Sequence, residues 1–166
     1  MKKKNNNLLL PVLVVLLLLI VIGGWYFLSL QKPVFIISTD KPAYFTTDRP
    51  VVEIKLFNAK NADSGRIDLE YDKSILKITE RNVTGLGVGV QVREIDNKLI
   101  FELSKDYLSL SDKNPTIAKL TFEPITNGIV EFKLDKLTAS LTSNNQNLIL
   151  DELKNVEITV GIVPER

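Results

Sequence analysis

The chain opens with an uncharged run from Leu8 to Leu30, and past Gln31, Lys32 and Pro33 it changes to short stretches in which apolar and polar residues alternate. A period of two is the signature of strands that bury one face. Val52, Ile54 and Leu56 interleave with Glu53 and Lys55, and Ile67, Leu69 and Tyr71 with Arg66, Asp68 and Glu70. Val88, Val90 and Val92 interleave with Gly89, Gln91 and Arg93, and Asp96-Asn97 then supplies a two-residue hairpin turn into Leu99, Phe101 and Leu103. Together with Val34 to Ser38, Ile117 to Phe122, Ile129 to Leu134, Leu137 to Leu141 and Val156 to Val160, the pattern predicts nine strands. Strands with one apolar face must stack as two sheets or close into a barrel. The expected architecture is an all-β sandwich over residues 34–160, after a linker at 31–33 and before a short tail at 161–166.

The N-terminal run reads differently. Fourteen of the fifteen residues from Leu8 to Ile22 are Leu, Ile or Val, and Trp25 and Tyr26 follow where an interfacial aromatic belt would stand. At roughly 1.5 Å per residue, residues 8–30 extend about 35 Å as a helix, enough for a hydrocarbon core. Lys2, Lys3 and Lys4 lie in the basic tail 1–7, so the positive-inside rule predicts a single-pass signal anchor with a cytoplasmic N-terminus, a lipid bilayer as partner of residues 8–30, and an extracytoplasmic body at the cell membrane. A cleaved signal peptide is the competing reading; the neighbours of Gly23, Gly24 and Ser29 fit its small-residue cleavage pattern poorly.

Composition narrows the function. The 166 residues hold no histidine and no cysteine, which removes histidine-dependent nucleophile pairs and thiolate zinc sites. Residues 31–166 carry 18 basic and 20 acidic side chains with no basic stretch, so nothing offers a footprint for nucleic acid. No cofactor and no metal are expected.

Several segments resemble one family. Ile67-Asp68-Leu69-Glu70-Tyr71-Asp72-Lys73-Ser74-Ile75-Leu76-Lys77-Ile78 is similar to the L-x-Y-D-x-x-x-L-x-V stretch of bacterial cohesin domains, the modules that bind dockerins in cellulosomes. Ile117-Ala118-Lys119-Leu120-Thr121-Phe122 resembles a later strand of that family, Gly128-Ile129-Val130-Glu131-Phe132-Lys133-Leu134 the strand after it, and Val52 to Asn58 an early one. The resemblance covers about residues 34–160. It implies a nine-stranded jelly-roll β-sandwich, a non-catalytic role and a partner face on one outer sheet. The outward positions of the corresponding strands are Arg66, Asp68 and Glu70; Gln91 and Arg93; Ile100 and Glu102; and Glu131 and Lys133. Mixed charge around an exposed Ile100 is the surface expected to meet a dockerin-like protein, within a polysaccharide-degrading assembly. Within the strand pattern, Tyr71 is expected to bury its ring and Asp72 to accept a backbone N–H that starts the next turn.

Other candidate chemistry is thin. Ser74-Ile75-Leu76-Lys77 fits S-x-x-K and Ser143-Asn144-Asn145 fits S-x-N, but no K-T-G follows and the first lies in a turn. Gly85-Leu86-Gly87-Val88-Gly89 precedes a strand rather than a helix, so it makes no phosphate loop. Asp68 and Glu70 are expected on a solvated face, where neither would be tuned as a glycosidase acid. Asp96, Asn97, Asp112 and Asn114 are loop oxygen donors without a twelve-residue calcium loop. Two alternatives to protein binding stand beside the cohesin reading. One is a surface carbohydrate-binding module using Tyr44, Phe45 or Tyr107 as stacking rings, although three scattered rings are more often packing caps, and the other a structural subunit assembling through sheet edges.

Overall fold

The computed structural model describes residues 9–29, 32–84, 89–110, 115–151 and 153–161, with side chains described for 11–22 alone within the first segment. It divides into two compact units, residues 1–31 and 32–166. In the first, helix α1 spans Leu9–Ser29. Among the described residues no helix is long and apolar enough to cross a membrane. That finding corrects the expected single-pass membrane localisation and the lipid-bilayer contact of residues 8–30. The basic tail 1–7 and the side chains of Trp25 and Tyr26 lie outside the described residues.

The second unit contains strands β1 (Val34–Thr39), β2 (Ala43–Tyr44), β3 (Val51–Phe57), β4 (Ser64–Glu70), β5 (Leu76–Val83), β6 (Val90–Ile95) and β7 (Lys98–Ser104). After a short helix α2 (Lys105–Leu108) come β8 (Thr116–Pro124), β9 (Gly128–Leu134), β10 (Ser140–Ser143), β11 (Gln146–Asn147) and β12 (Val156–Val160). One sheet runs β1-β3-β8-β5. In the other, β4 is central: β7 lies along its whole length with β6 outside it, while its opposite edge pairs with β10 at Ser64 to Arg66 and with β9 at Leu69 and Glu70. β12 and β2 continue the sheet beyond β9, and β11 lies beyond β10.

The alternation expected from the sequence carries the core. β3 buries Val52, Ile54 and Leu56 and turns Glu53 and Lys55 out. Phe35, Ile37, Leu120 and Phe122 join that layer, and Ile67, Leu69, Leu99, Phe101, Val130, Phe132 and Ile158 face it from the other sheet. Phe122 of β8 and Phe132 of β9 meet across the sandwich at 5.2 Å between ring centroids. Tyr71 closes the cluster, edge-on to Phe122 at 5.1 Å and stacked on Phe132 at 6.0 Å. Aromatic pairs in such geometries add about 0.5–1.5 kcal/mol each beyond area burial.

Among the described residues twelve strands stand where nine were expected. β2 and β11 are only two residues long, too short for a periodic signal. β5 escaped because its outward side is polar and a bulge between Ile78 and Glu80 breaks its alternation. Leu137 to Leu141 is not a strand: the backbone turns at Asp135, and β10 starts only at Ser140. The Asp96-Asn97 turn forms as expected, closing the Ile95–Lys98 pair with Asp96 at φ +52°.

Candidate functional site

Strand register brings the expected partner residues onto one face. Ile95, Lys98, Glu70 and Lys133 form one cross-strand row; Arg93, Ile100 and Asp68 form the next; Gln91, Glu102 and Arg66 form the third. Glu131 stands beside Lys133 at the next outward position of β9. The nine expected residues therefore share the outer surface of β6, β7, β4 and β9.

Two of them are not where a partner could reach them directly. Ile100 is 6% exposed and Asp68 is 2% exposed, so neither the exposed apolar anchor nor the solvated aspartate is found. The cause is the traffic around them. Arg93 donates to Glu102 at 2.5 Å and Arg66 grips both oxygens of Asp68 at 2.9 and 3.0 Å, so ion pairs run along both flanks of Ile100. Beside Asp68, the opposite edge of β4 passes from β9 to β10, and the connecting turn donates the Asp135 N–H to the Asp68 carbonyl oxygen. Asp68 is the only buried charged residue among the described residues, and the bidentate guanidinium is what makes that burial tolerable.

The remaining charges are also paired within the face. Lys98 reaches Glu70 at 2.5 Å and Asp135 at 2.8 Å, and Lys133 reaches Glu131 at 2.8 Å. Asp135 holds the Lys98 ammonium above its ordinary pKa, Asp68 does the same for the Arg66 guanidinium, and Lys98 in turn holds the Asp135 carboxyl below its ordinary range. At the edge, Glu94 pairs with Lys73 at 2.7 Å and with Arg81, which ties β6 to the β5 side of the sandwich. Arg66, Arg93, Lys98 and Lys133 balance Asp68, Glu70, Glu102 and Glu131, and Asp135, which shares Lys98 with Glu70, adds one negative charge at the edge.

Exposed apolar groups flank this paired centre. Ile129 is 61% exposed and Ile95 50% exposed. Ile129 borders a hollow of about 500 Å³ that Tyr71, Asp96, Lys98 and Lys133 also line. Ile129 shares parity with Glu131 and Lys133, and Ile95 with Gln91 and Arg93, so the alternation itself carried the signal for both. Leu137, 96% exposed, carried none because its segment reads as strand.

The alternative chemistries do not assemble. Ser74 Oγ donates to Asp72 Oδ1 at 2.6 Å and the Ser74 N–H does so at 2.8 Å, an Asx turn, while Lys77 is exposed on β5 opposite Glu123. Asn144 and Asn145 have φ of +50° and +62° and form the two-residue turn between β10 and β11, where left-handed backbone favours asparagine. Tyr44 and Tyr107 are buried, which leaves Phe45 alone of the three proposed sugar-stacking rings. Gly85 to Val88, Asp112 and Asn114 lie outside the described residues, and among the described residues no three acidic groups are placed to hold a metal ion.

With the geometry in hand, comparison with known proteins addresses the fold. No protein-family model matches the chain, and no curated protein matches it in sequence. Solved structures do. The seventh ScaB type I cohesin of Pseudobacteroides cellulosolvens superposes with a TM-score of 0.60 at 20% identity, over 80% of this chain and 96% of that one. The third ScaC cohesin of Acetivibrio cellulolyticus, solved in complex with the ScaB dockerin, gives 0.61 at 8% identity, over 77% and 99%. The cohesin module of a Clostridium perfringens family 33 glycoside hydrolase gives 0.59 at 14% identity, over 78% and 97%. The chain has the cohesin fold. Near-complete coverage of those modules supports the jelly-roll sandwich.

Proposed function

We propose that this chain is a non-catalytic protein-recognition module that binds a dockerin-type partner through the outer face of β6, β7, β4 and β9. The observation that carries the reading is the fold shared with cohesins, one of them solved in complex with a dockerin. The face supports it in physical terms: an internally paired ionic centre on a continuous sheet, rimmed by Ile95 and Ile129, is a rigid surface with apolar purchase at its margins. Recognition there proceeds by shape and hydrogen bonding to groups already held in place, which lowers the ordering cost of association. A polysaccharide-degrading assembly is the proposed setting, supported by the glycoside hydrolase that carries one of the matched modules.

The test is a pull-down of the source organism's secreted proteins on the immobilised chain, followed by calorimetry with the recombinant dockerin module of any captured protein. A 1:1 complex with Kd of about 1 μM or tighter is expected. Capture of polysaccharide alone would overturn the proposal.

A further inference from the structure

We infer that Leu137 is an apolar anchor of the partner contact, presented on a turn that Asp135 fastens to the edge of the face. The inference rests on the reading just given and adds a residue that neither the strand pattern nor the cohesin resemblance singles out.

Along β9 the side chains of Val130, Phe132 and Leu134 point into the core, so Glu131, Lys133 and, next in parity, Asp135 point outward. The Asp135 carboxylate then serves two masters. Its Oδ2 accepts the Lys98 ammonium at 2.8 Å, and Lys98 belongs to the row of the face that also holds Glu70 and Lys133. Its Oδ1 accepts the Leu137 N–H at 2.9 Å. One carboxylate thus ties the face directly to the backbone of Leu137. The same residue closes the turn on both sides: its N–H donates to the Asp68 carbonyl at 3.0 Å, and its own carbonyl accepts the Ala139 N–H at 2.8 Å.

At the tip of this fixed turn the Leu137 side chain is 96% exposed, the most exposed of the large apolar side chains described. A leucine on a mobile loop would spend its burial energy on ordering the loop. Here the backbone is already ordered, so burial against a partner goes into affinity. An apolar group on a rigid support, beside charges satisfied among themselves, is the arrangement of an interface hot spot with a polar surround. The occupant it fits is an apolar recess on the dockerin-type partner, with Leu137 as the inserted group and Asp135 as the positioning residue.

The experiment is calorimetry of the purified chain and its variants against the recombinant dockerin module identified by capture. Leu137→Ala is expected to weaken binding about tenfold or more while leaving the thermal midpoint unchanged, since the side chain packs against nothing in the chain. Leu137→Met is expected to restore most of the affinity. Asp135→Ala is expected to weaken binding with Leu137 intact. Wild-type binding that Leu137→Ala leaves unchanged would overturn the anchor alone. A lowered thermal midpoint in Leu137→Ala would also overturn it, by showing the side chain to be packed. Absence of wild-type binding would overturn the proposed function and the anchor together.

Discussion

Asp68 shows how a residue's position along a strand and its surroundings can diverge. Parity puts it on the outer surface, yet Arg66 and the turn at Asp135 take it out of solvent. Alternation along a sequence gives the face a side chain occupies; it does not give what crosses over that face from elsewhere in the chain. The tyrosines make a prediction at this scale. Burial pushes Tyr44, Tyr71 and Tyr107 up to about 12 from the ordinary 10.0. A phenol whose folded pKa is raised contributes stability that is complete below pH 10 and is lost as pH rises toward 12. Phenolate absorbance should therefore show late titration of these three rings, merging with alkaline unfolding. The burial of Tyr71 was legible because it ends an apolar face, and that of Tyr44 and Tyr107 agrees with the reading of scattered rings in turn-like segments as packing caps. The cross-sheet ring cluster makes a second prediction: Phe132→Ala, fully buried, should cost about 3–5 kcal/mol in chemical denaturation.

Elements with clean period-two patterns, β3, β4, β7 and β9 among them, were readable as strands, and with them which residues share the outer face, but not the burial of Asp68 and Ile100. What was lost sits where local sequence and tertiary pairing disagree. β5 pairs with β8 from Leu76 to Val83, although only Leu76, Ile78 and Val83 of its eight residues are apolar. Its identity as a strand comes from the neighbour it edges. The turn at Asp135 was hidden by the opposite effect, since Leu137, Ala139 and Leu141 mimic a strand that the hydrogen bonds of Asp135 forbid. Turn chemistry makes the prediction here. Asn144 and Asn145 both hold left-handed backbone, so Asn145→Val should destabilise the β10–β11 connection by about 1–2 kcal/mol, measured as a shift in denaturant midpoint with unchanged slope.

At the scale of the molecule, the cohesin fold is fixed by two layers of alternating side chains, and the outer face of one layer is where function is proposed. The chain's ionic scaffold also sets its acid limit. Asp135 is held low by Lys98, Asp63 by Lys105, Glu94 by Lys73, Glu53 by Lys55 and Asp72 by Ser74. Carboxyls with depressed folded pKa values add stability above their ordinary 3.8 or 4.5 and lose it as pH falls through the lower folded values. The thermal midpoint should accordingly hold near neutrality and drop as pH falls below about 4. The central claim, that the β6-β7-β4-β9 surface is the docking surface, is tested most directly by calorimetry of the chain with its captured dockerin module after charge reversal on each sheet in turn. Arg93→Glu should weaken binding at least about tenfold, roughly 1.4 kcal/mol, and Lys77→Glu on the opposite sheet should leave it unchanged. Equal affinity for wild type and Arg93→Glu, with loss in Lys77→Glu, would contradict the account.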